Sequence, residues 1–224
     1  MEPGHIPEAS RRRISRYMRC LGMALDSGKR WVTSSYLAGR CMKSPESVRR
    51  DLASLGYLGK RGRGYDARSL LDSLREAMGL SPPPELAMVG MGRLGEALLS
   101  SGIPGGPYRF AAAFDADGRK TGRSVGGVEV WPISRMPDYF AARGGSAIAV
   151  VAVGSGRLQA AVDSLFEAGC RWVLSFTLEP VTVPDDDMVL RYMEMATELD
   201  LMARMMSRRS EEQKSPNGPP RIRR

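Results

Sequence analysis

The chain has 224 residues, of which 42% are hydrophobic and 26% charged, a composition typical of folded proteins. The longest apolar run, residues 147–153, has seven residues, whereas a membrane-spanning helix needs about 20. Cys20, Cys41 and Cys170 form no CxxC pair, and the one histidine is His5. This sparse set argues against a thiolate zinc site, predicts no metal, and favours a reducing cytoplasm.

The net charge of +8 is unevenly distributed. Residues 1–80 carry 16 basic and 8 acidic side chains, whereas residues 81–206 carry 11 and 15. The proline run Ser81–Pro84 separates these segments and predicts a stiff linker. A basic front domain on an acidic body indicates that the front domain contacts a polyanion, with nucleic acid as the leading candidate and a solvated basic surface as the alternative.

Residues 8–26 place apolar side chains at helical spacing, and a second short helix is predicted after Ser34. A third helix begins clearly, because Ser44 can cap it and Pro45 suits its first position. Arg49 and Arg50 lie off its apolar face, as expected for a helix that enters a DNA major groove. An ordinary surface helix is the alternative.

A basic, glycine-rich segment follows, running from Gly56 to Tyr65 with four glycines and three cations. Glycine permits the positive φ angles of tight turns, and cations at such a tip can reach phosphates or a narrow minor groove. Helix, turn, helix and basic hairpin together predict a winged-helix DNA-binding domain over residues 1–80.

The body begins with a short apolar strand followed by Gly90-Met91-Gly92-Arg93-Leu94-Gly95, a complete GxGxxG motif. A helix follows, and then a second strand that ends at Asp115. In this pattern the glycines admit a pyrophosphate to the helix N-terminus, while the acid accepts hydrogen bonds from a ribose diol. We expect NAD(H) rather than NADP(H), although Arg119 and Lys120 weaken that preference.

Alternation of strands and helices continues through the predicted strands 128–131, 147–153 and 172–175 and the predicted helix 157–169. The fold class is therefore α/β, with a doubly wound, mostly parallel, Rossmann-like sheet over residues 81–186. This body contains no histidine, and its one lysine is Lys120. Because a dehydrogenase commonly needs a proton carrier near the nicotinamide, we predict a sensor without catalytic residues.

Residues 187–206 predict a terminal helix, because Met188, Tyr192, Met195, Leu199, Met202 and Met206 form a heptad seam. Its apolar face is expected to pack either on its own body or on another subunit. A two-fold dimer would match a palindromic DNA site. The basic tail over residues 207–224 is predicted to be disordered, since it has almost nothing to bury.

These segments together resemble the Rex-type redox-sensing transcriptional repressors of bacteria over residues 6–206. The most specific segments are residues 48–52, the run 59–65, the glycine motif 90–95 and Ala113-Phe114-Asp115. The resemblance implies a homodimer with a swapped C-terminal helix, which binds a double-stranded DNA operator with NAD+ and is released by NADH.

The resemblance also assigns residues. The implied DNA-binding residues are Ser44, Ser47, Arg49, Arg50, Lys60, Arg61, Gly62, Arg63 and Gly64. The implied NAD contacts are Gly90, Met91, Gly92, Arg93, Leu94, Gly95, Asp115 and Lys120. Residues expected to couple the domains are Arg16, Tyr65 and Glu194. The chain departs from the family pattern at Arg93, Gly154, Thr177 and Glu194, and the last three fall in the redox-sensing half of the expected pocket.

The sequence thus predicts a cytoplasmic, dimeric winged-helix repressor that senses NADH/NAD+. Two alternatives stay open. One is an NAD-dependent oxidoreductase with an auxiliary basic domain, and the other is a nucleotide- or CoA-responsive regulator without redox sensing.

Overall fold

The computed structural model describes residues 8–103 and 108–214. They form a small helical region and a larger α/β region, and each has its own hydrophobic core. His5 and the end of the basic tail, residues 215–224, lie outside the described residues. Across residues 8–103 and 108–214, no helix is both long enough and apolar enough to cross a membrane.

The front region has a winged-helix architecture. Its elements are α1 (Glu8–Asp26), β1 (Trp31–Val32), α2 (Ser34–Cys41), α3 (Pro45–Ser54), β2 (Tyr65–Asp66) and α4 (Ala67–Ala77). The apolar stripe predicted on α1 is buried at Ile14, Tyr17, Met18 and Leu21. Strands β1 and β2 pair antiparallel and close the base of the glycine-rich turn. Sequence reasoning did not predict α4, whose Leu70, Leu71 and Leu74 complete the core.

One polar cluster fixes α3 against α1. Asp51 on α3 accepts two hydrogen bonds from the Arg13 guanidinium, at 2.8 and 3.0 Å, and one from the Tyr17 hydroxyl at 2.8 Å. The Arg13 side chain on α1 is largely covered in this contact. The bidentate geometry sets the direction of α3 as well as its distance from α1.

The body is a seven-stranded sheet with strand order β5-β6-β4-β3-β7-β8-β9. Its strands are β3 (Glu85–Val89), β4 (Arg109–Asp115), β5 (Ser124–Val125), β6 (Val128–Pro132), β7 (Ala147–Val151), β8 (Trp172–Ser175) and β9 (Val189–Tyr192). Neighbouring strands are parallel except for the short β5, which pairs antiparallel with β6. The helices are α5 (Arg93–Ser101), α6 (Met136–Ala141) and α7 (Leu158–Glu167), with a short 3-10 turn at Ile133–Arg135. The order of the strands confirms the predicted doubly wound fold.

The prediction of one helix over residues 187–206 is wrong in its first part. Val189–Tyr192 forms β9 instead, beside β8 on the edge of the sheet, and Met188 is buried in the sheet core. Alternating residues 189–192 suit a half-buried edge strand, and the edge of β8 offered backbone groups that needed partners. Met188 and Tyr192 therefore do not belong to the helical seam.

The last helix, α8, begins at Met195 and continues to Lys214. The expected disorder from Ser207 onward is therefore wrong for residues 207–214, because the helix simply continues through them. All side chains described on α8, those of residues 195–208, are exposed. Of the side chains described on this helix, none is therefore buried against the body.

We predict that Asp51→Asn lowers the free energy of unfolding of the front region by about 1–3 kcal/mol, the usual cost of leaving buried hydrogen-bonding groups unsatisfied. Urea unfolding followed by circular dichroism measures it. Asp72→Asn is the matched control, since Asp72 makes one exposed contact with Arg75 and should change stability by less than about 0.5 kcal/mol. Equal effects of the two substitutions would show that the cluster does not stabilise the fold.

The difference between the wild-type protein and Asp51→Asn should also depend on pH. Burial alone would raise the pKa of Asp51, but hydrogen bonds from Arg13 and Tyr17 outweigh it and lower the pKa below its ordinary value. The stabilisation is therefore complete above the unfolded-state pKa of about 3.9. It should disappear as pH falls through the folded-state pKa.

Candidate nucleotide-binding cleft and nucleic-acid interface

The glycine motif forms the turn between β3 and α5, and its three glycines have different roles. Gly90 has a φ of +96°, and a side chain there would meet the Ala152 carbonyl oxygen at 2.6 Å. A side chain at Gly95 would overlap the carbonyl oxygen of Gly90. A side chain at Gly92 would meet nothing within 4 Å. Gly90 and Gly95 are thus required by the chain's own packing, whereas Gly92 leaves space in front of the turn.

The N-terminus of α5 faces this space. Gly92 is its N-cap, and no side chain caps the first turn. Uncapped amides and the positive end of the helix dipole favour an anion such as a pyrophosphate. Arg93 and Leu94 are exposed on this first turn, while Met91 is buried beneath it.

Asp115, at the end of β4, anchors the turn. One carboxylate oxygen accepts the Met91 N–H at 2.7 Å and the Lys120 ammonium at 3.1 Å, and the other accepts the Asp117 N–H at 2.8 Å. Burial tends to raise the pKa of Asp115, but these hydrogen bonds and the Lys120 charge outweigh burial and lower it. The group is therefore ionised at neutral pH. A carboxylate has about four acceptor positions, so three are occupied and one is left for a ligand hydroxyl.

A cleft of about 380 Å³ opens beside the turn, at the carboxyl ends of the parallel strands. Of the predicted contacts, Gly90, Gly92, Asp115 and Lys120 line it directly. Met91, Arg93, Leu94 and Gly95 do not line it and instead build or flank the turn. Ligands in doubly wound sheets bind at this edge, where strand order reverses on either side of β3.

Of the remaining residues that line the cleft, only Gly154 was expected in the pocket from the sequence. These residues include Ile133 and Met136 before and in α6, and Gly154 and Arg157 at the start of α7. Arg157 adds a second cation to the lining of the cleft, besides Lys120. The glycines at positions 154 and 156, directly after a buried strand, were the available signal for a second ligand loop.

The positions that depart from the family pattern separate in the structure. Gly154 lies on the rim of the cleft. The Thr177 hydroxyl donates to the Val153 carbonyl at 2.7 Å and ties the loop after β8 to the loop after β7. Glu194 lies exposed at the start of α8, where it accepts a hydrogen bond from Thr197. Thr177 and Glu194 do not line the cleft in this chain.

The candidate nucleic-acid interface comprises α3 and the turn that follows it. Ser44 caps α3 by accepting the Ser47 N–H at 3.2 Å. Arg49 and Arg50 are exposed, and Arg49 donates to the Ser34 hydroxyl of α2 at 3.1 Å. This bond holds the Arg49 guanidinium near the N-terminus of α2 and limits its freedom.

The basic turn, residues 60–64, is a tight hairpin tip. Lys60 and Gly64 pair through hydrogen bonds of 2.7 and 2.9 Å. Gly62 and Gly64 have φ values of +76° and +87°, and a side chain at Gly64 would overlap the Val32 carbonyl oxygen. Arg61 and Arg63 are exposed on this tip.

Trp31 supports the tip and was not identified from the sequence. The Arg63 guanidinium lies over its indole ring at 4.1 Å, and the Lys60 ammonium at 5.7 Å. Cation–π contact positions two of the basic side chains without neutralising them.

The three residues expected to couple the domains lie on separate elements. Tyr65 is buried in the front core with its ring 6.2 Å from that of Tyr57. Arg16 is exposed on α1, and Glu194 on the segment before α8. Their coupling role stays a prediction.

Comparison with known proteins assigns both regions. Residues 5–53 match the family model described as "Putative DNA-binding protein N-terminus", and residues 83–179 match the model described as "CoA binding domain". The redox-sensing transcriptional repressor Rex of Ligilactobacillus salivarius is 36% identical over 182 residues, which cover 81% of this chain and 85% of that protein. The Rex of Syntrophobacter fumaroxidans is 35% identical over 83% of this chain and 89% of that protein.

Solved structures agree with these relatives. RSP in complex with beta-NAD+ and operator DNA matches with a TM-score of 0.69 and 25% identity, over 94% of this chain and 97% of that one. RSP in complex with beta-NADH matches the fold with a TM-score of 0.68 and 23% identity, over 94% and 98% of the two chains. With relatives above 30% identity over four-fifths of its length, this chain belongs to the Rex family of redox-sensing transcriptional repressors.

Proposed function

We propose that this chain represses transcription in the cytoplasm by binding operator DNA, and that NADH bound in the cleft releases it. One observation carries the proposal. The chain combines a basic α3 and hairpin tip with a cleft at the glycine turn. In that cleft Gly92 leaves space for a ligand, no side chain caps α5, and Asp115 is ionised. Family membership supports the same combination of DNA and dinucleotide.

The cleft has the groups that a dinucleotide needs. The amides of the first turn of α5 would receive the pyrophosphate, with Gly92 allowing its close approach. The remaining acceptor position of Asp115 would receive a ribose hydroxyl. Arg157 and Gly154 would face the nicotinamide half, which is the part that differs in charge and shape between NADH and NAD+.

Release requires that NADH binds two arrangements of the protein with different affinity. A ligand that bound both equally would shift nothing, and a shift from mostly bound to mostly released needs a preference of about 10⁴-fold. The loops after β7 and β8, joined by Thr177 and Val153, lie at the side of the cleft where such a preference would arise.

We further propose that the chain does not turn over a substrate. Its body has no histidine, and its one lysine, Lys120, is paired with Asp115. A cationic side chain held in an ion pair is a poor proton carrier. Substrate-dependent consumption of NADH would instead support an oxidoreductase.

We propose that a second copy of the chain covers α8. Met195, Leu199, Met202 and Met206 keep the heptad spacing of four, three and four, and each is more than half exposed. Such a seam suits a partner helix or a groove of the other protomer. Methionine side chains adapt to interfaces that shift between two arrangements, as a two-state repressor requires.

The functional proposal predicts opposite effects of the two cofactors. The DNA probe is a duplex enriched from a random-sequence pool by the protein with NAD+, and binding is followed by fluorescence anisotropy. NADH should dissociate the complex, whereas NAD+ should not. Equal affinity with either cofactor would contradict redox sensing, and an effect of CoA alone would favour the CoA-responsive alternative.

Gly92→Ala should abolish the NADH response while leaving the fold and DNA affinity intact, because the new methyl group meets no protein atom but occupies the approach of the pyrophosphate. Gly118→Ala is the matched control, since its methyl group would also meet nothing within 4 Å and Gly118 does not line the cleft. Unchanged NADH binding in Gly92→Ala would show that the pyrophosphate does not bind at this turn.

Arg49→Ala should weaken binding to the enriched duplex by about 1–3 kcal/mol if Arg49 contacts a base edge. Arg68→Ala, which removes the same charge from the exposed face of α4, is the control and should have a smaller effect. An equal loss of affinity for unrelated duplexes would indicate that Arg49 contacts a phosphate rather than a base edge.

Leu199→Glu combined with Met202→Glu should convert the dimer to a monomer, because two carboxylates would be buried in the proposed seam. Analytical ultracentrifugation measures the mass, and circular dichroism checks the fold. A wild-type monomer at micromolar concentration, or a double variant that still dimerises, would overturn the proposed interface.

A further inference from the structure

Two cysteines that are distant in the sequence meet in the front core. Cys20 lies on α1 and Cys41 is the last residue of α2, and their sulfur atoms are 3.3 Å apart. Both are free thiols. An S–S bond is about 2.0 Å long, so bond formation requires the sulfurs to move about 1 Å closer. The third cysteine, Cys170, belongs to the sheet core.

The pair lies at the floor of a surface pocket of about 320 Å³. Both cysteines line this pocket together with Met23, Met42 and three arginines, Arg16, Arg19 and Arg40. Nearby guanidinium groups attract an oxidant that carries or develops negative charge. The pocket therefore gives a small oxidant a route to sulfur atoms that are otherwise buried.

The two thiols are not equivalent. Burial, with a smaller contribution from the hydrogen bond to Cys20, raises the pKa of Cys41 to about 12. Cys41 therefore keeps its proton at neutral pH and can donate it to the sulfur of Cys20. We assign the first attack to Cys20 and the second to Cys41, because a sulfur that keeps its proton is a weak nucleophile.

We propose that Cys20 and Cys41 are a modification site that a hydroperoxide oxidises to a reversible disulfide, giving the protein a thiol-based redox input separate from the dinucleotide cleft. The Cys20 sulfur attacks one peroxide oxygen and gives up its proton, the O–O bond breaks, and the leaving oxygen takes that proton to become water. The resulting sulfenic acid is attacked by the Cys41 sulfur, whose proton leaves with the hydroxyl group as a second water. Two thiols and one hydrogen peroxide thus yield one disulfide and two waters.

The position of Cys41 connects this bond to α3. The next residue, Met42, has a left-handed φ of 50°, and Ser44 caps α3 two residues later. A disulfide would draw the end of α2 toward α1, whereas Asp51 keeps α3 attached to α1 through Arg13. The turn between α2 and α3 must then change its conformation to accommodate the displaced end of α2, and this change disturbs the placement of α3. The output of the switch, weaker operator binding, rests on the proposed DNA-binding function.

The disulfide itself is tested on the full-length protein without DNA. The reduced protein is treated with hydrogen peroxide, remaining thiols are alkylated, and peptides are mapped by mass spectrometry. We expect a peptide in which Cys20 is linked to Cys41, with Cys170 alkylated and the link lost after dithiothreitol. Cys170→Ala should still form the link. Absence of the linked peptide when peroxide is in excess would overturn the proposal.

The output is measured with the duplex enriched by the reduced protein. Oxidised protein should bind it about tenfold more weakly, within the range typical of coupling between sites, and dithiothreitol should restore binding. Cys41→Ala should bind equally before and after peroxide. Linked protein with unchanged affinity would overturn the regulatory part. If the reduced protein enriches no duplex, the proposed DNA-binding function fails, while the peptide map still decides whether the disulfide forms.

Discussion

The Asp115 carboxylate holds the glycine turn against the end of β4, and the geometry of the cleft depends on this contact. Its bond to the Met91 N–H fixes the residue between Gly90 and Gly92, and the close approach of Gly95 to the Gly90 carbonyl fixes the other end of the turn. An ionised acid is needed for this, because only the carboxylate can accept from two backbone amides and from Lys120 together. No side chain caps the first turn of α5, and Gly92 leaves room beside it. Together these two features are the physical basis for binding a dinucleotide.

The front region is held by a different device. Asp51 joins α3 to α1 through Arg13 and Tyr17, and Trp31 supports Arg63 and Lys60 from below. The Trp31 contacts orient Arg63 and Lys60 without neutralising their charges. The two regions have independent cores. Under the proposed function, regulation would depend on how α8 and the loops beside the cleft transmit a change between protomers. Cys20 and Cys41 add a place where oxidation could reach α3 without passing through the cleft.

Local patterns were sufficient for most of the elements. Capping by Ser44, helical spacing on α1 and the glycine motif before Asp115 are short-range signals, and the structure confirms the helices and strands that they predict. The predicted seam from Met188 onward was wrong in its first part. The spacing of apolar residues alone does not distinguish one helix from a short edge strand that is followed by a helix. Residues 189–192 form a strand because they pair with β8. Since β8 lies more than a dozen residues earlier in the chain, local spacing does not reveal this pairing.

The sequence by itself determined the α/β class, the winged-helix front region, the glycine turn and the basic surface, since each depends on residues close together in the chain. Only the tertiary structure decided that Arg157 lines the same cleft as Lys120, that the Arg63 guanidinium lies over the Trp31 ring, that Arg13 pairs with Asp51, and that Cys20 meets Cys41. These are contacts between elements, and their formation depends on how helices and strands pack. Sequence spacing carries no information about such distances until the core has been assembled.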